Sequence, residues 1–311
     1  MCVPRTIRER THIASDRGSR RRAKAARIRG PSPEGLSDPY AKVPPMRVRQ
    51  SSLKQFGICA KQYELSQVLE LAEEQVGSLT VLGTVWHYAV DVYETFDHDL
   101  DLAKRTFAYY WENPKELGEK IDFWHRSTTH QGLMKRGMKM LEQYHELSPW
   151  ETGKRIGSEI HFVVPIGDHE LEGTVDKLWW RPGQKRLEVL DFKTGAYVPE
   201  KLRYNIQFSA YCYATTRPEF WANVPGYEDG HVKFAKAKRG GYWYHARNGK
   251  MFSAGERELT DYKRLYLAIT EMEQAINLGV FPLNIQGENC FYCPFSDGTC
   301  GSEVDEEVLY G

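Results

Sequence analysis

The chain has 311 residues, 41% of them apolar, enough for one large domain or two small ones around a sizeable core. Its 42 Lys and Arg residues balance 42 Asp and Glu residues, so net charge selects no class of partner. No run approaches the roughly 18 apolar residues of a membrane span, the N-terminus lacks the apolar stretch of a secretory signal, and six cysteines in a chain this long do not read as a secreted disulfide scaffold. A cytoplasmic protein with no membrane contact is expected.

Charge is unevenly spread. Ten Arg or Lys residues fall within residues 1–30, against only Glu9 and Asp16. That composition faintly resembles an organellar transit peptide, and it also suits an arm that binds nucleic acid without folding. Residues 1–45 end in GPSPEGLSDPYAKVPP, a linker composition, so this segment is expected to be disordered or loosely attached.

Folded structure should begin at RQSSLKQFGICAKQYELSQVLELA. Ser51 or Ser52 is placed to cap a helix there, and Leu53, Phe56, Tyr63 and Leu65 give it a broken helical period. LTVLGTVWHYAVDVYETF continues as helix, with Leu82, Val85, Trp86, Ala89, Val90 and Tyr93 recurring at steps of three and four. Residues 99–148 read as two or three more helices, broken near Asn113-Pro114. The period then changes. RIGSEIHFVVPI, LEGTVDKLWW and KRLEVLDFKTG are strand-like, and RPGQ joins the last two as a turn. KLRYNIQFSAYCYATT is helical again. HVKFAKAK and GYWYHAR read as two short strands, LTDYKRLYLAITEMEQAINLG as an amphipathic helix, and NIQGENCFYCPFSDGTCG as a cysteine-bearing loop. The expected organisation is a helical region over 46–150, a sheet-containing core over 151–285 and a cysteine segment over 286–311. Helices followed by a hairpin-centred sheet suggest an α/β or α+β fold.

The chemistry lies in the hairpin. A strand has a period of two, so Asp191 and Lys193 of VLDFKTG share a face. If the RPGQ turn closes the hairpin, Asp176 of GTVDKL comes near Asp191. Two neighbouring carboxylates repel unless a cation neutralises them, and hard, oxygen-preferring Mg²⁺ or Mn²⁺ suits such a pair. A lysine beside them can orient water or stabilise charge on a phosphoryl group. An isolated D-x-K is more often a surface ion pair, so the company these residues keep matters.

That company is GTVD, then VLDFKTG, then NIQFSAYCYA, in that order. The series resembles the core of the RecB-type PD-(D/E)xK nucleases. The resemblance implies a restriction-endonuclease-like α/β core, a central mixed sheet flanked by helices, with an N-terminal helical part. It implies that Asp176 and Asp191 bind Mg²⁺ or Mn²⁺, that Lys193 acts on the attacking water, and that Gln207 and Tyr211 position the substrate or the lysine. LGTVWHYAV resembles the family's G-x-x-x-H helix, which makes His87 a third metal ligand. Glu159, on the preceding strand, is a weaker candidate, since exposed strand glutamates are common.

Cys290, Cys293 and Cys300 cluster near the chain end, and Cys59 stands alone upstream in SSLKQFGICAKQYEL. This split resembles the branch of the same family in which such cysteines hold a [4Fe–4S] cluster, found in bacterial helicase–nuclease subunits and CRISPR-associated nucleases, with stand-alone relatives in phages. Four thiolates also suit structural zinc, although zinc ligands usually come in two local pairs. Cys212 follows Tyr211 and reads as a small core residue.

DNA ends or single-stranded segments are the expected substrate, with a recombination or spacer-acquisition protein as a candidate partner. Tyr242, Trp243 and Tyr244, set among basic residues over 233–250, could stack on unpaired bases or face inward from an ordinary hairpin. Residues 122–140 form a second basic stretch, more simply a solvated helix face. The resemblance as a whole implies a DNA exonuclease or end-processing nuclease. The rival is a catalytically silent DNA-binding or assembly subunit with the same fold, which would not need Asp176, Asp191 and Lys193 together. No G-x-x-x-x-G-K-[ST] loop is present, so any ATP-driven unwinding would come from elsewhere.

Overall fold

The computed structural model describes residues 45–71, 76–125, 128–147, 153–196, 201–284, 290, 293–296 and 298–301. The arm expected over residues 1–45 lies, except for Pro45, outside them.

The chain opens with a short strand, β1 (Arg47–Arg49), that passes directly into helix α1 (Gln50–Ile58). Arg49 occupies the N-cap position and makes no side-chain cap, so Ser51 and Ser52 fall inside the first turn rather than capping it. Cys59, in extended conformation, separates α1 from α2 (Ala60–Tyr63), which runs on into a π-helical turn, Glu64–Val68. Helix α3 (Ser78–Thr95) buries the apolar stripe that its sequence announces, including Leu82, Val85, Trp86, Ala89, Val90 and Tyr93. Helix α4 (Leu100–Glu112) is capped by the Asp99 side chain and ends before Pro114. A proline there cannot continue the helix, because it lacks the N–H and its ring clashes with the preceding turn. Helix α5 (His130–Leu147) completes the helical layer.

Six strands form one mixed sheet among the described residues. Strands β2 (Lys154–Ile166) and β3 (His169–Arg181) make a long antiparallel hairpin, and β4 (Arg186–Lys193) returns antiparallel to β3 through the expected turn at Pro182–Gln184. Helix α6 (Ile206–Ala214) and two short helices, α7 (Pro218–Trp221) and α8 (Gly230–Lys233), lead to β5 (Lys238–His245), which lies parallel to β4. Strand β6 (Lys250–Glu256) pairs antiparallel with β5, and α9 (Leu259–Leu278) closes the described core with a capping box at Glu258 and Asp261.

Two expectations change here. HVKFAKAK is helix and turn rather than strand until its last residue, Lys238, which starts β5, and Phe234 packs in an aromatic cluster with Trp180, Trp221 and Tyr227. The partner of β5 is β6, whose sequence KMFSAGE has too weak an alternation to announce a strand.

Strand β4 is buried along both faces, although Glu188 and Asp191 interrupt its apolar residues. Leu187 and Val189 join a core with α1, α6 and α9, while Leu190 and Phe192 join a second core with α3, α4 and α5. Trp86, fully buried in the second core, packs edge-on against Phe192 and stacks on Tyr244. Truncating such a side chain to alanine costs about 3–5 kcal/mol. No described helix is long and apolar enough to cross a membrane.

Candidate active site

One edge of β3 carries two partners in tandem. Strand β1 pairs with Glu170–Glu172 and β4 pairs with Lys177–Arg181, while β2 occupies the other edge throughout. β1 runs parallel to β3 and β4 antiparallel, so their C-terminal ends point at each other across the gap at residues 173–176. A cavity of about 560 Å³ opens in this gap, walled by Arg49 and Ser51 on one side and Lys193 and Thr194 on the other.

Asp176 and Asp191 face each other at the fork. The β3–β4 register stops at Lys177 opposite Leu190, and one further step would set Asp176 opposite Asp191. Instead of a ladder bond, the Phe192 N–H donates to Asp176 Oδ2 at 2.6 Å. Lys193 reaches back along its own strand, with Nζ 2.6 Å from Asp191 Oδ2. On the opposite side of Asp191, Gln207 donates from Nε2 both to Asp191 Oδ1 at 2.7 Å and to the Tyr211 hydroxyl at 2.8 Å. Asn205 caps the helix that presents them, accepting from the Gln207 N–H. Gln207 therefore contacts Asp191 directly, and Tyr211 contacts Gln207 behind it.

His87 enters from α3. Its Nδ1 lies 3.6 Å from Glu159 Oε1 and 3.9 Å from Asp176 Oδ2. Gly83, one turn earlier, permits this approach: a Cβ there would sit 3.1 Å from Thr194 Oγ1, in the chain just after Lys193. His87, Glu159 and Asp176 each offer a ligand atom, and the three lie within 4.8 Å of one another. Asp191 stands outside that trio, with both oxygens engaged by Lys193 and Gln207. Glu159, the weaker candidate by sequence, stands inside it. Glu159 lies across the hairpin from Asp176, between the pairs Ser158–Lys177 and Ile160–Val175, and holds a left-handed φ of 47°. That conformation is strained for a non-glycine residue and turns the glutamate out of the regular ladder. The signal that would have found Glu159 is the hairpin register, which depends on closing the Gly167–Asp168 turn correctly.

The electrostatics are those of crowded, buried acids. Burial pushes the Asp191 carboxyl up to about 6, with Lys193 opposing and Asp176 adding to the rise. Burial also raises Asp176, against the pull of His87. Burial lowers His87, but Asp176 and Glu159 outweigh it and carry the imidazole up to about 9. Burial likewise works against the Lys193 charge, and Asp191 and Asp176 more than restore it, leaving its pKa raised. Lys54, one turn beyond Ser51 on α1, is lowered by burial and then by repulsion from Lys193. Three oxygen and nitrogen donors within ligand range, amid acids that resist ionising together, fit a hard divalent cation such as Mg²⁺ or Mn²⁺.

The cysteines lie away from this site, and among the described residues no three of them come within ligand range of one another. Cys59, Cys290 and Cys293 carry free thiols. Asn284 Nδ2 donates to the Ile58 carbonyl at 2.7 Å, the Tyr63 and Phe281 rings meet at 6.5 Å, and Cys290 Sγ lies 3.8 Å from the Asn284 carbonyl. The segment carrying the last three cysteines thus starts beside Cys59. Trp243 and Tyr244 are buried, at 7% and 1% exposure, which resolves their role in favour of the core rather than base stacking. Cys212 is buried as expected.

The sequence model of the PD-(D/E)XK nuclease superfamily matches residues 47–300. Among solved structures, the chain is similar to an exonuclease candidate from Eubacterium rectale, at 11% identity and a TM-score of 0.46, over 84% of this chain and 91% of that one. It is also similar to a protein called SSO0001, at 15% identity and a TM-score of 0.30, over 82% of this chain and 97% of that one. No curated protein matches.

Proposed function

This chain belongs to the PD-(D/E)XK nuclease superfamily, and from that premise we propose that it is a cytoplasmic, Mg²⁺- or Mn²⁺-dependent deoxyribonuclease of the RecB type that works on DNA ends. The observation that carries the reading is the meeting of His87, Glu159 and Asp176 donor atoms in the same gap as the Asp191–Lys193 pair.

In this reading His87, Asp176 and Asp191, joined by Glu159, form the set that holds the cation. When bound, a divalent cation would supply Lewis acidity, making water a better nucleophile near neutral pH and offsetting charge on the phosphate. The protein's own residues do the rest. Gln207, itself braced by the Tyr211 hydroxyl, fixes the Asp191 carboxylate in place. Lys193 donates from a charged ammonium, suited to holding water or a non-bridging phosphate oxygen as negative charge builds up. Arg49 and Ser51, across the gap, are placed to meet neighbouring phosphates of the strand.

Cys59, Cys290, Cys293 and Cys300 are proposed to hold a [4Fe–4S] cluster that clasps the start of the folded chain to its end. The Asn284–Ile58 contact beside Cys59 supports this, and structural zinc is the alternative. A recombination or spacer-acquisition protein is the proposed partner class.

The test uses linear DNA labelled separately at each end, with circular DNA as control, in Mg²⁺, Mn²⁺ or EDTA. Metal-dependent loss of label from linear DNA, with circular DNA spared, is expected. Absence of divalent-dependent cleavage on every DNA form would remove the reading.

A further inference from the structure

The His87, Glu159 and Asp176 part of the cation site rests on three separate pieces of chain, α3, β2 and β3, and something must set the helix against the hairpin. Two polar clips lie directly behind the site. His87, Asp91 and Glu94 are spaced by four and three residues, so they form one stripe along α3. Asp91 accepts from the Ser158 hydroxyl, next to Glu159 in β2. Arg155 donates to the same hydroxyl and, at 2.6 Å, to the Glu94 carbonyl near the end of α3. One turn on, Glu94 Oε1 accepts from Lys177 Nζ at 2.9 Å and from the Tyr144 hydroxyl at 2.6 Å. Lys177 is next to Asp176 in β3, and its ammonium also donates to the Tyr144 oxygen at 3.1 Å.

The two clips fall on one rung of the hairpin. Ser158 and Lys177 are cross-strand partners, one residue before Glu159 and one after Asp176. Lys177 is 0% exposed and the Glu94 side chain 1%, an unusual depth for an ion pair. The ammonium also lies over the Tyr144 and Trp179 rings, and His98 Nε2 stands 3.7 Å from Glu94 Oε2. A buried ion pair is poor evidence of stabilisation, because desolvation offsets much of its attraction. What it supplies is direction, since a fully buried lysine accepts few alternative arrangements of its carboxylate.

We propose that Glu94, Lys177 and Tyr144, with Asp91, Ser158 and Arg155, are positioning residues that fix the rotation and register of α3 on the β2–β3 hairpin and so bring His87 to Glu159 and Asp176. The inference rests on the proposed cation site and adds to it the device that assembles it.

The experiment measures Mn²⁺ affinity of the purified full chain by electron paramagnetic resonance of free Mn²⁺, alongside thermal melts. Glu94→Leu and Lys177→Met alone each strand a buried charge and lower stability. The double variant Glu94→Leu/Lys177→Met replaces the pair by apolar groups of similar volume and should melt near the wild type. Its Mn²⁺ affinity should still fall, on the order of 10–100-fold, as when groups supporting metal ligands are removed. Tyr144→Phe, which keeps the ring and removes the hydroxyl, should weaken Mn²⁺ binding by a smaller factor with a nearly unchanged melt, and it carries the test if the double variant fails to fold. A folded double variant or a folded Tyr144→Phe protein with wild-type Mn²⁺ affinity overturns the proposal. Wild-type protein that binds no Mn²⁺, or a His87→Ala variant with undiminished affinity, overturns the cation site itself, a distinct outcome.

Discussion

Asp191→Asn should make the metal-free protein more stable at pH 8 while abolishing cleavage. Asp191 is 2% exposed, and burial lifts its carboxyl to about 6, above the usual aspartate value. A carboxyl whose pKa is higher in the folded state binds its proton more tightly there. Its destabilising effect is absent below the unfolded pKa near ~4, grows as pH rises, and is complete once pH passes the folded value of about 6. A shift of about two units corresponds to roughly 3 kcal/mol at pH 8. Asparagine never ionises and keeps an acceptor for Gln207, and Lys193, at 32% side-chain exposure, can turn to water. Some of the Lys193 attraction is lost, so the net gain should be about 1–2 kcal/mol, or roughly 2–6 °C in melting temperature. The assay is a thermal melt in EDTA at pH 8 and again near pH 4.5, where the gain should shrink to a fraction. Added Mn²⁺ should stabilise the wild type more than the variant, and cleavage by the variant should fall by several orders of magnitude. A variant that melts below the wild type at pH 8 without metal, or that cuts DNA at the wild-type rate, would refute the reasoning.

Lys193→Ala should abolish turnover yet bind DNA nearly as well as wild type, because one lysine is a small part of the electrostatic footprint; parallel losses in a gel-shift and a cleavage assay would recast it as a phosphate anchor. Glu159→Gly should relieve the left-handed backbone, worth about 1 kcal/mol, while weakening Mn²⁺ binding; calorimetric titration with unchanged affinity would take Glu159 out of the site. Cys59→Ala should lose iron, acid-labile sulfide and stability together in anaerobically purified protein, whereas Asp191→Asn should keep its iron. Stoichiometric zinc with no iron would replace the cluster by a zinc clasp. A Cys59→Ala protein with a full cluster would break the proposed link between the two ends of the chain.

Sequence alone determined whatever depends on neighbours along the chain. The apolar stripe of α3 fixes which face of that helix is buried, and with it the side from which His87 projects. The two-residue period of β4 puts Asp191 and Lys193 on one face, and the turn at Pro182–Gln184 brings Asp176 to the same end of the hairpin. The capped ends of α9 and the break before Pro114 are also local, set by backbone chemistry within one turn. Tertiary structure decided what depends on partners far along the chain. Nothing near Glu159 says that β2 pairs with β3 in the register that sets it across from Asp176, or that its backbone turns left-handed there. Nothing in RVR says that so short a strand takes the edge of β3 left free by β4 and opens a cavity between the two ends. Trp243 and Tyr244 would suit a surface or a core equally by sequence, and only the docking of helices on both faces of the sheet buried them. The physical reason is common to all of these. Helical and strand periods are set by dihedral preferences over a few residues, whereas strand register and helix docking are set by which apolar and polar surfaces meet, and that is decided by the whole chain at once.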